Sequence, residues 1–288
     1  MAIHKPVLLQ EVLAFLQVKK GGRYIDATLG EGGHAKEIIN LGGVVLGIEQ
    51  DPKILEEAKR NLGNKTLLVG GNFRRIDEIA KEYQFTEVDG ILMDLGISSW
   101  HLEESGRGFT FQKEEPLDMR ADPTLQVTAA DLLNGLTKHE LERLIRQFGE
   151  EERAGELVRA LVRARSLRPF KTTGDLLEVV ATVKGSRGRE KLHPATKIFQ
   201  ALRIAVNDEI ENLRSALPRA FGILGKGGTL VVISFHSLED REVKRFFALR
   251  GKEGLGEILT EKPVQPTSQE VSQNPRSRSA RLRALQKR

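Results

Sequence analysis

The chain has 288 residues, of which 39% are hydrophobic and 30% charged, with no cysteine and a formal net charge of +5. That length suits one large domain, or one domain carrying an insertion. The composition excludes disulfides, cysteine-based zinc sites and thiol nucleophiles, and no apolar run is long enough to span a bilayer.

The N-terminal MAIHKPVLLQEV has no signal-peptide pattern, so a cytoplasmic location is expected. Val7, Leu8, Val12, Leu13, Phe15 and Leu16 share a helical stripe, which predicts an opening helix over 7–18. Strand-like and helix-like segments then alternate. RYIDATL (23–29) leads through a glycine-rich turn to AKEIIN, VVLGIEQ (44–50) to KILEEAKRNL, and TLLVGGN (66–72) to RRIDEIAKEY. VDGILMDLG (88–96) closes the series. Short apolar strands separated by amphipathic helices predict a parallel sheet covered on both faces.

The rhythm changes after Leu95. Residues 97–125 read as a long loop, and loops of that length usually carry function. From Thr128 to Leu217 the pattern is helical: Thr137 and Glu140 have capping-box spacing ahead of Leu141, Leu144, Ile145 and Phe148. Ile198, Leu202, Val206, Ile210, Leu213 and Leu217 make a second long stripe, interrupted by the polar Asn207 and Glu209, which face either solvent or a cleft. GGTLVVISF (227–235) restores the strand pattern, followed by the helix SLEDREVKRFFAL, a possible strand GEILTEKP and a last candidate, RLRALQ (281–286). The expected organisation is a discontinuous α/β domain, 1–106 with 218–288, and a loop plus inserted helical domain over 107–217, to which substrate recognition is assigned.

Asp26, Thr28, Gly30, Gly32 and Gly33 stand where the first strand hands over to its helix. Glycines there let the backbone turn sharply and approach a ligand, and in a doubly wound sheet ligands sit outside the carboxyl ends of the strands. Asp51, ending the second strand in GIEQDP, is placed for ribose hydroxyls. Nicotinamide dinucleotides and S-adenosylmethionine both use such an arrangement. The dinucleotide pattern G-x-G-x-x-G is not met, because Glu31 lies inside the turn and no third glycine follows three residues on. A cationic sulfonium is compatible with Glu31, and Asp26 matches the acidic residue that precedes the glycines in methyltransferase motif I.

Charge is unevenly spread. Arg153–Lys191 carries ten basic residues against four acidic ones, and Arg276–Arg288 carries six with no acidic residue. Either segment alone reads equally as a solvated face or a frayed tail; together they point to a nucleic acid. Six scattered histidines show no paired metal spacing, so no metal site is expected.

The ordered blocks HKPVLL (4–9), DATLGEGGHA (26–35), GIEQDP (47–52), MDLGISS (93–99), GRGFTF (106–111), PLDMR (116–120), ATKIFQALRIAVNDE (195–209), ISFHSLEDR (233–241) and NPRSRSARLRA (274–284) carry a likeness that runs the length of the chain. The sequence resembles the ribosomal RNA small subunit methyltransferase H family. That resemblance implies a class I S-adenosylmethionine-dependent methyltransferase, with a Rossmann-like, mostly parallel sheet interrupted by a helical domain. It also implies methylation of the N4 amine of a cytidine in 16S ribosomal RNA, within an assembled or assembling subunit. By position, Gly32, Gly33 and His34 should line the methionine and ribose side, Asp51 the ribose hydroxyls, and Phe73 the adenine; Asp94 should lie beside the transferable methyl group. His101 stands where the family commonly has glutamine.

Cytosine N4 is a poor nucleophile, and a carboxylate that accepts its hydrogen bond and its proton answers that need. Asp94 is the expected catalytic residue. LGISS follows it, so the aromatic wall that many amino-methyltransferases place there is missing; Trp100, Phe109 or Phe235 could supply one. His236 could touch the base or belong to a helix cap, and Arg120 could meet phosphate or pair with Asp118 or Asp122. Three rivals stay open: a nicotinamide-dependent oxidoreductase, a non-catalytic assembly factor, and a methyltransferase for DNA or a small molecule. The choice between monomer and homodimer is open too.

Overall fold

The computed structural model describes residues 6–63, 66–184 and 193–288. His4 and Lys5 of the first block, and Arg187, Arg189, Glu190 and Lys191 of the first basic segment, lie outside the described residues. The chain forms two compact units, Met1–Gly96 with Ile210–Arg288, and Ile97–Glu209.

The first unit is built on β1 (Arg23–Asp26), β2 (Val44–Glu49), β3 (Leu67–Gly70), β4 (Val88–Asp94), β5 (Leu224–Ser234), β6 (Gly256–Ile258) and β7 (Arg281–Lys287). Among the described residues these make one sheet in the order β3-β2-β1-β4-β5-β7-β6. β1 to β5 are parallel, and β7 runs antiparallel between β5 and β6. This is the mostly parallel, Rossmann-like sheet expected from the sequence.

Alternation along the strands divides their side chains between two cores, because successive residues of a strand point to opposite faces. Ile25, Leu46, Ile48, Ile91, Met93, Leu230, Val232 and Leu285 face one core. That core is completed by α4 (Ile76–Glu82), α11 (Glu209–Ile223) and α12 (Ser237–Lys252). Tyr24, Val45, Leu92, Val231, Ile233, Leu282 and Ala284 face the other, under α1 (Leu9–Leu16), α2 (Gly33–Asn40) and α3 (Pro52–Leu62). Strands buried on both faces explain the near-continuous apolar runs in the sequence.

The second unit holds α5 (Ser99–Glu103), α6 (Ala129–Gly135), α7 (Lys138–Gly149), α8 (Ala154–Leu167), α9 (Thr173–Lys184) and α10 (Thr196–Asn207). Thr137 and Glu140 form the expected capping box at α7, and Thr128 with Asp131 forms another at α6. Leu141, Ile145, Leu157, Val158, Leu161, Leu176, Val180, Ile198 and Leu202 make its core. The second stripe is broken at Asp208, whose φ of 51° ends α10. Ile198, Leu202 and Val206 therefore belong to the helical core, whereas Leu213 and Leu217 of α11 pack on the sheet. The compact units change over at 97 and 210, where the sequence pattern suggested 107 and 218; Ile97 and Leu102 already pack on the helical core. Another helix named in the fold is α13 (Ser268–Gln273), where Glu270 accepts from the Leu8 backbone N–H at 2.8 Å.

The C-terminal segment is no frayed tail. Arg283 of β7 is buried and donates to Asp240 of α12 at 2.7 and 3.2 Å. Burial works against ionisation of Asp240, yet the Arg283 guanidinium holds its carboxyl below the ordinary value. Removing one partner of such a pair strands a buried charge. Asp240→Ala should therefore cost about 3–5 kcal/mol in denaturant unfolding, and Asp240→Ala with Arg283→Met should recover most of that loss.

Candidate active site

The sheet order places β1 and β4 side by side, while the chain leaves β1 toward β2 and β3 and returns to β4 across the opposite face. Ligands of open α/β sheets bind at the carboxyl ends of strands at such a switch point. Asp26 ends β1 and Asp94 ends β4. Thr28 ties them: its Oγ1 accepts from the Asp94 N–H at 2.6 Å, and its own N–H donates to Asp26 Oδ1 at 3.3 Å. α2 starts at Gly33 after Gly32, whose φ of 88° demands glycine and whose missing side chain cannot cap the helix. The Ala35 N–H near Asp26 favours its ionised form.

The glycines divide by what surrounds them. A Cβ on Gly32 would come within 2.7 Å of the Leu62 side chain, and one on Gly33 within 2.8 Å of Pro6. Gly30, at φ 54°, has nothing nearer than 4.0 Å. The close packing that fixes Gly32 and Gly33 therefore comes from the chain itself, and the open glycine is Gly30.

Asp26 is buried, and that burial raises its pKa to about 6; Asp94 adds to the rise and His34 opposes it. His34, at the second position of α2, is buried with Nε2 3.5 Å from Asp94 Oδ2. Neither ring nitrogen of His34 has a hydrogen-bond partner, and nor does the buried Asp94 Oδ1. Buried polar atoms are rarely left unsatisfied, so these three mark the place of a ligand.

Glu49 was not singled out in the sequence. It ends β2, nearly buried, and accepts from Gly30 N–H at 3.0 Å and Asp51 N–H at 2.9 Å, joining the glycine turn to the next strand. Its position as the last strand residue was the available signal. Asp51 is fully buried and N-caps α3 through Lys53 N–H at 2.9 Å. Asn72 donates to Gln50 at 3.0 Å and caps the 3-10 turn that begins at Phe73, which is half-buried against the sheet's core. Gly32, Gly33, His34, Asp51, Phe73 and Asp94 thus all sit at the carboxyl ends of β1 to β4.

His101 belongs to the helical unit. It is buried in α5, with Nδ1 3.1 Å from Ser98 Oγ and its ring 4.8 Å from that of Phe109. Phe109 is core, and Trp100 is partly exposed with the Arg107 guanidinium over its ring. Phe235 belongs to the sheet unit, half-buried. Arg120 pairs with Asp118 in a two-pronged contact at 2.7 Å, the second of its expected roles. Asn207 is neither solvated nor a cleft residue within its unit. Its amide accepts from Ala121 N–H and donates to the Met119 carbonyl, at 2.7 and 2.8 Å, fixing Met119 at φ 61°. Glu209 pairs with Arg203 at 2.8 Å. His236 itself caps α12, with Glu239 completing the box.

Of the first basic segment, Arg153 pairs with Glu156, Arg168 with Asp175 and Lys184 with buried Glu151, while Arg165 donates to the carbonyls of Leu133 and Leu136. Arg159, Arg163 and Lys171 are exposed and make no ion pair within 4.0 Å among the described residues. No described helix is long and apolar enough to cross a membrane.

The sequence pattern of the MraW methylase family matches residues 1–288. The chain belongs to the MraW methylase family. It is 46% identical to the ribosomal RNA small subunit methyltransferase H of Thermomicrobium roseum, over 99% of this chain and 93% of that one. The proteins of the same name from Symbiobacterium thermophilum and Coprothermobacter proteolyticus are each 44% identical, over 99% of this chain and 96% of theirs. The fold is that of class I S-adenosylmethionine-dependent methyltransferases, and the residues present fit that methyl donor. Asp26, Glu49, Asp51 and Asp94 make the strand ends acidic, which favours a cationic sulfonium over a pyrophosphate, and the unpartnered atoms of His34 and Asp94 suit the polar groups of such a donor.

A raised carboxylate pKa means that folding disfavours the ionised form. Below the unfolded value of 3.8 both states are protonated and nothing is lost; stability falls as pH rises toward about 6 and is flat beyond it. Asp26→Asn keeps the acceptor for the Thr28 N–H. It should raise ligand-free stability by up to about 3 kcal/mol at pH 7.5, with the advantage gone near pH 3.5, read from urea unfolding at both pH values.

Proposed function

We propose that the chain transfers a methyl group from S-adenosylmethionine to the N4 amine of a cytidine in small-subunit ribosomal RNA. The observation that carries the chemistry is the unpartnered, buried Oδ1 of Asp94 at the end of β4. The substrate class is supported by the whole-length likeness to relatives named as ribosomal RNA small subunit methyltransferases.

The donor supplies an electrophilic methyl group on a sulfonium, so the chain's task is placement rather than bond polarisation. The N4 lone pair is delocalised into the cytosine ring. A carboxylate accepting the amine's hydrogen bond pushes that pair out of the ring and receives the proton lost afterwards. Asp94 takes both roles, held by Thr28 at its backbone. Gly32, Gly33, His34, Asp51 and Phe73 hold the donor, and the family resemblance adds His101 to the donor-binding residues. The helical unit recognises substrate, and Arg159, Arg163 and Lys171 contact phosphate, which positions RNA without reading its sequence. The RNA is met inside an assembled or assembling subunit, in the cytoplasm.

The test is transfer of labelled methyl groups to small subunits that lack the modification, followed by nucleoside analysis. N4-methylated cytidine should appear with the wild type, and Asp94→Asn should slow it by a factor of about 10²–10⁴. Donor binding without any labelled nucleoside would refute the assignment. Replacing Arg159, Arg163 and Lys171 together by alanine should raise the KM for subunits and flatten its dependence on salt, leaving donor affinity unchanged.

A further inference from the structure

The imidazole of His34 has a use beyond lining a pocket. It is buried at the start of α2, with two nitrogens that bond to nothing and one of them facing the carboxylate that ends β4. A side chain that only shaped a wall would have no reason to carry two unsatisfied polar atoms there. Resting on the reading of Asp94 as proton acceptor, we propose that His34 is the second station of the proton lost by the substrate amine, relieving Asp94 before the next turnover.

The step balances as follows. The N4 lone pair forms the new N–C bond while the S–C bond breaks and its electron pair stays on sulfur. The methylated amine then carries one proton too many and passes it to Asp94. From Asp94 Oδ2 to His34 Nε2 is 3.5 Å, within reach of a small tightening. The imidazole accepts at Nε2 and becomes a cation between two carboxyl groups, Asp94 and Asp26.

Asp94 faces His34 from the end of β4, and Asp26 is a second carboxyl coupled to it among the described residues. Asp26 feels the histidine's charge directly, and a cation at His34 favours its ionised form. Glu49, one strand further out, is occupied by the Gly30 and Asp51 N–H groups and does not compete. Thr28 accepts from the Asp94 N–H and so keeps the end of β4 in register with the donor turn. His34 acts on the reaction through Asp94, so it is a positioning and proton-carrying residue rather than one that touches the amine.

A histidine that merely holds Asp94 in place is replaceable by glutamine, which also donates a hydrogen bond; a proton carrier is not. The test compares wild type, His34→Gln and Asp94→Asn in two measurements. Calorimetry gives donor affinity in the absence of RNA, and single-turnover methylation of undermethylated subunits gives a rate profile from pH 5.5 to 9. The expected result for His34→Gln at saturating donor is a rate at least tenfold lower at pH 7, and loss of the acid limb expected of the wild type. A wild-type rate and profile in His34→Gln at saturating donor would overturn the proposal, whatever its donor affinity. Absence of N4-methylcytidine with the wild type itself would instead remove the functional reading on which the proposal rests.

Discussion

One buried carboxylate organises the business end of this protein. Asp26 leaves water at the end of β1, and that burial raises its pKa to about 6. In exchange it fixes Thr28, which in turn holds the end of β4. Desolvation of a carboxylate is unfavourable, and it is tolerated here because the same group satisfies backbone donors. The donor turn and Asp94 are thereby locked to one another through side chains two residues apart in sequence.

The scaffold supports that lock. Strands whose residues alternate between two apolar cores have no solvated face on which to shift, and a slip of one residue would exchange both cores at once. β7 lies between β5 and the edge strand β6 and carries the Arg283–Asp240 pair, which anchors α12 behind β5. On the near side Glu49 bridges Gly30 and Asp51, so the end of β2 reaches the glycine turn after β1 through a carboxylate directed at backbone N–H groups. The site is held by hydrogen bonds to main chain, which are stiff, rather than by exposed ion pairs, which contribute little.

Periodic features were readable from sequence. The alternation of strands and helices, the capping box at Thr137 and the glycine turn after Asp26 are local patterns, and local patterns survive in a linear reading. Four features were not local. Glu49 turns toward backbone groups, which leaves no partner residue to notice. Asn207 bonds to Ala121 and Met119 across a long stretch of chain, and a polar residue on an apolar stripe looks solvated until that loop is in place. Asp208 breaks a continuous stripe with a left-handed backbone at a non-glycine position, which moved the unit boundary. The arginine-rich C-terminus reads as a free basic tail, but Asp240 lies far enough upstream that its pairing with Arg283 could not be anticipated from spacing.

The most direct measurement on the central claim is a crystal structure with S-adenosylhomocysteine and a cytidine-bearing RNA fragment. The account places the cytidine N4 within about 3 Å of Asp94 Oδ1, with His34 still beside the other carboxylate oxygen. A bound cytidine whose amine is held by a different group, with Asp94 turned to its own backbone, would contradict it.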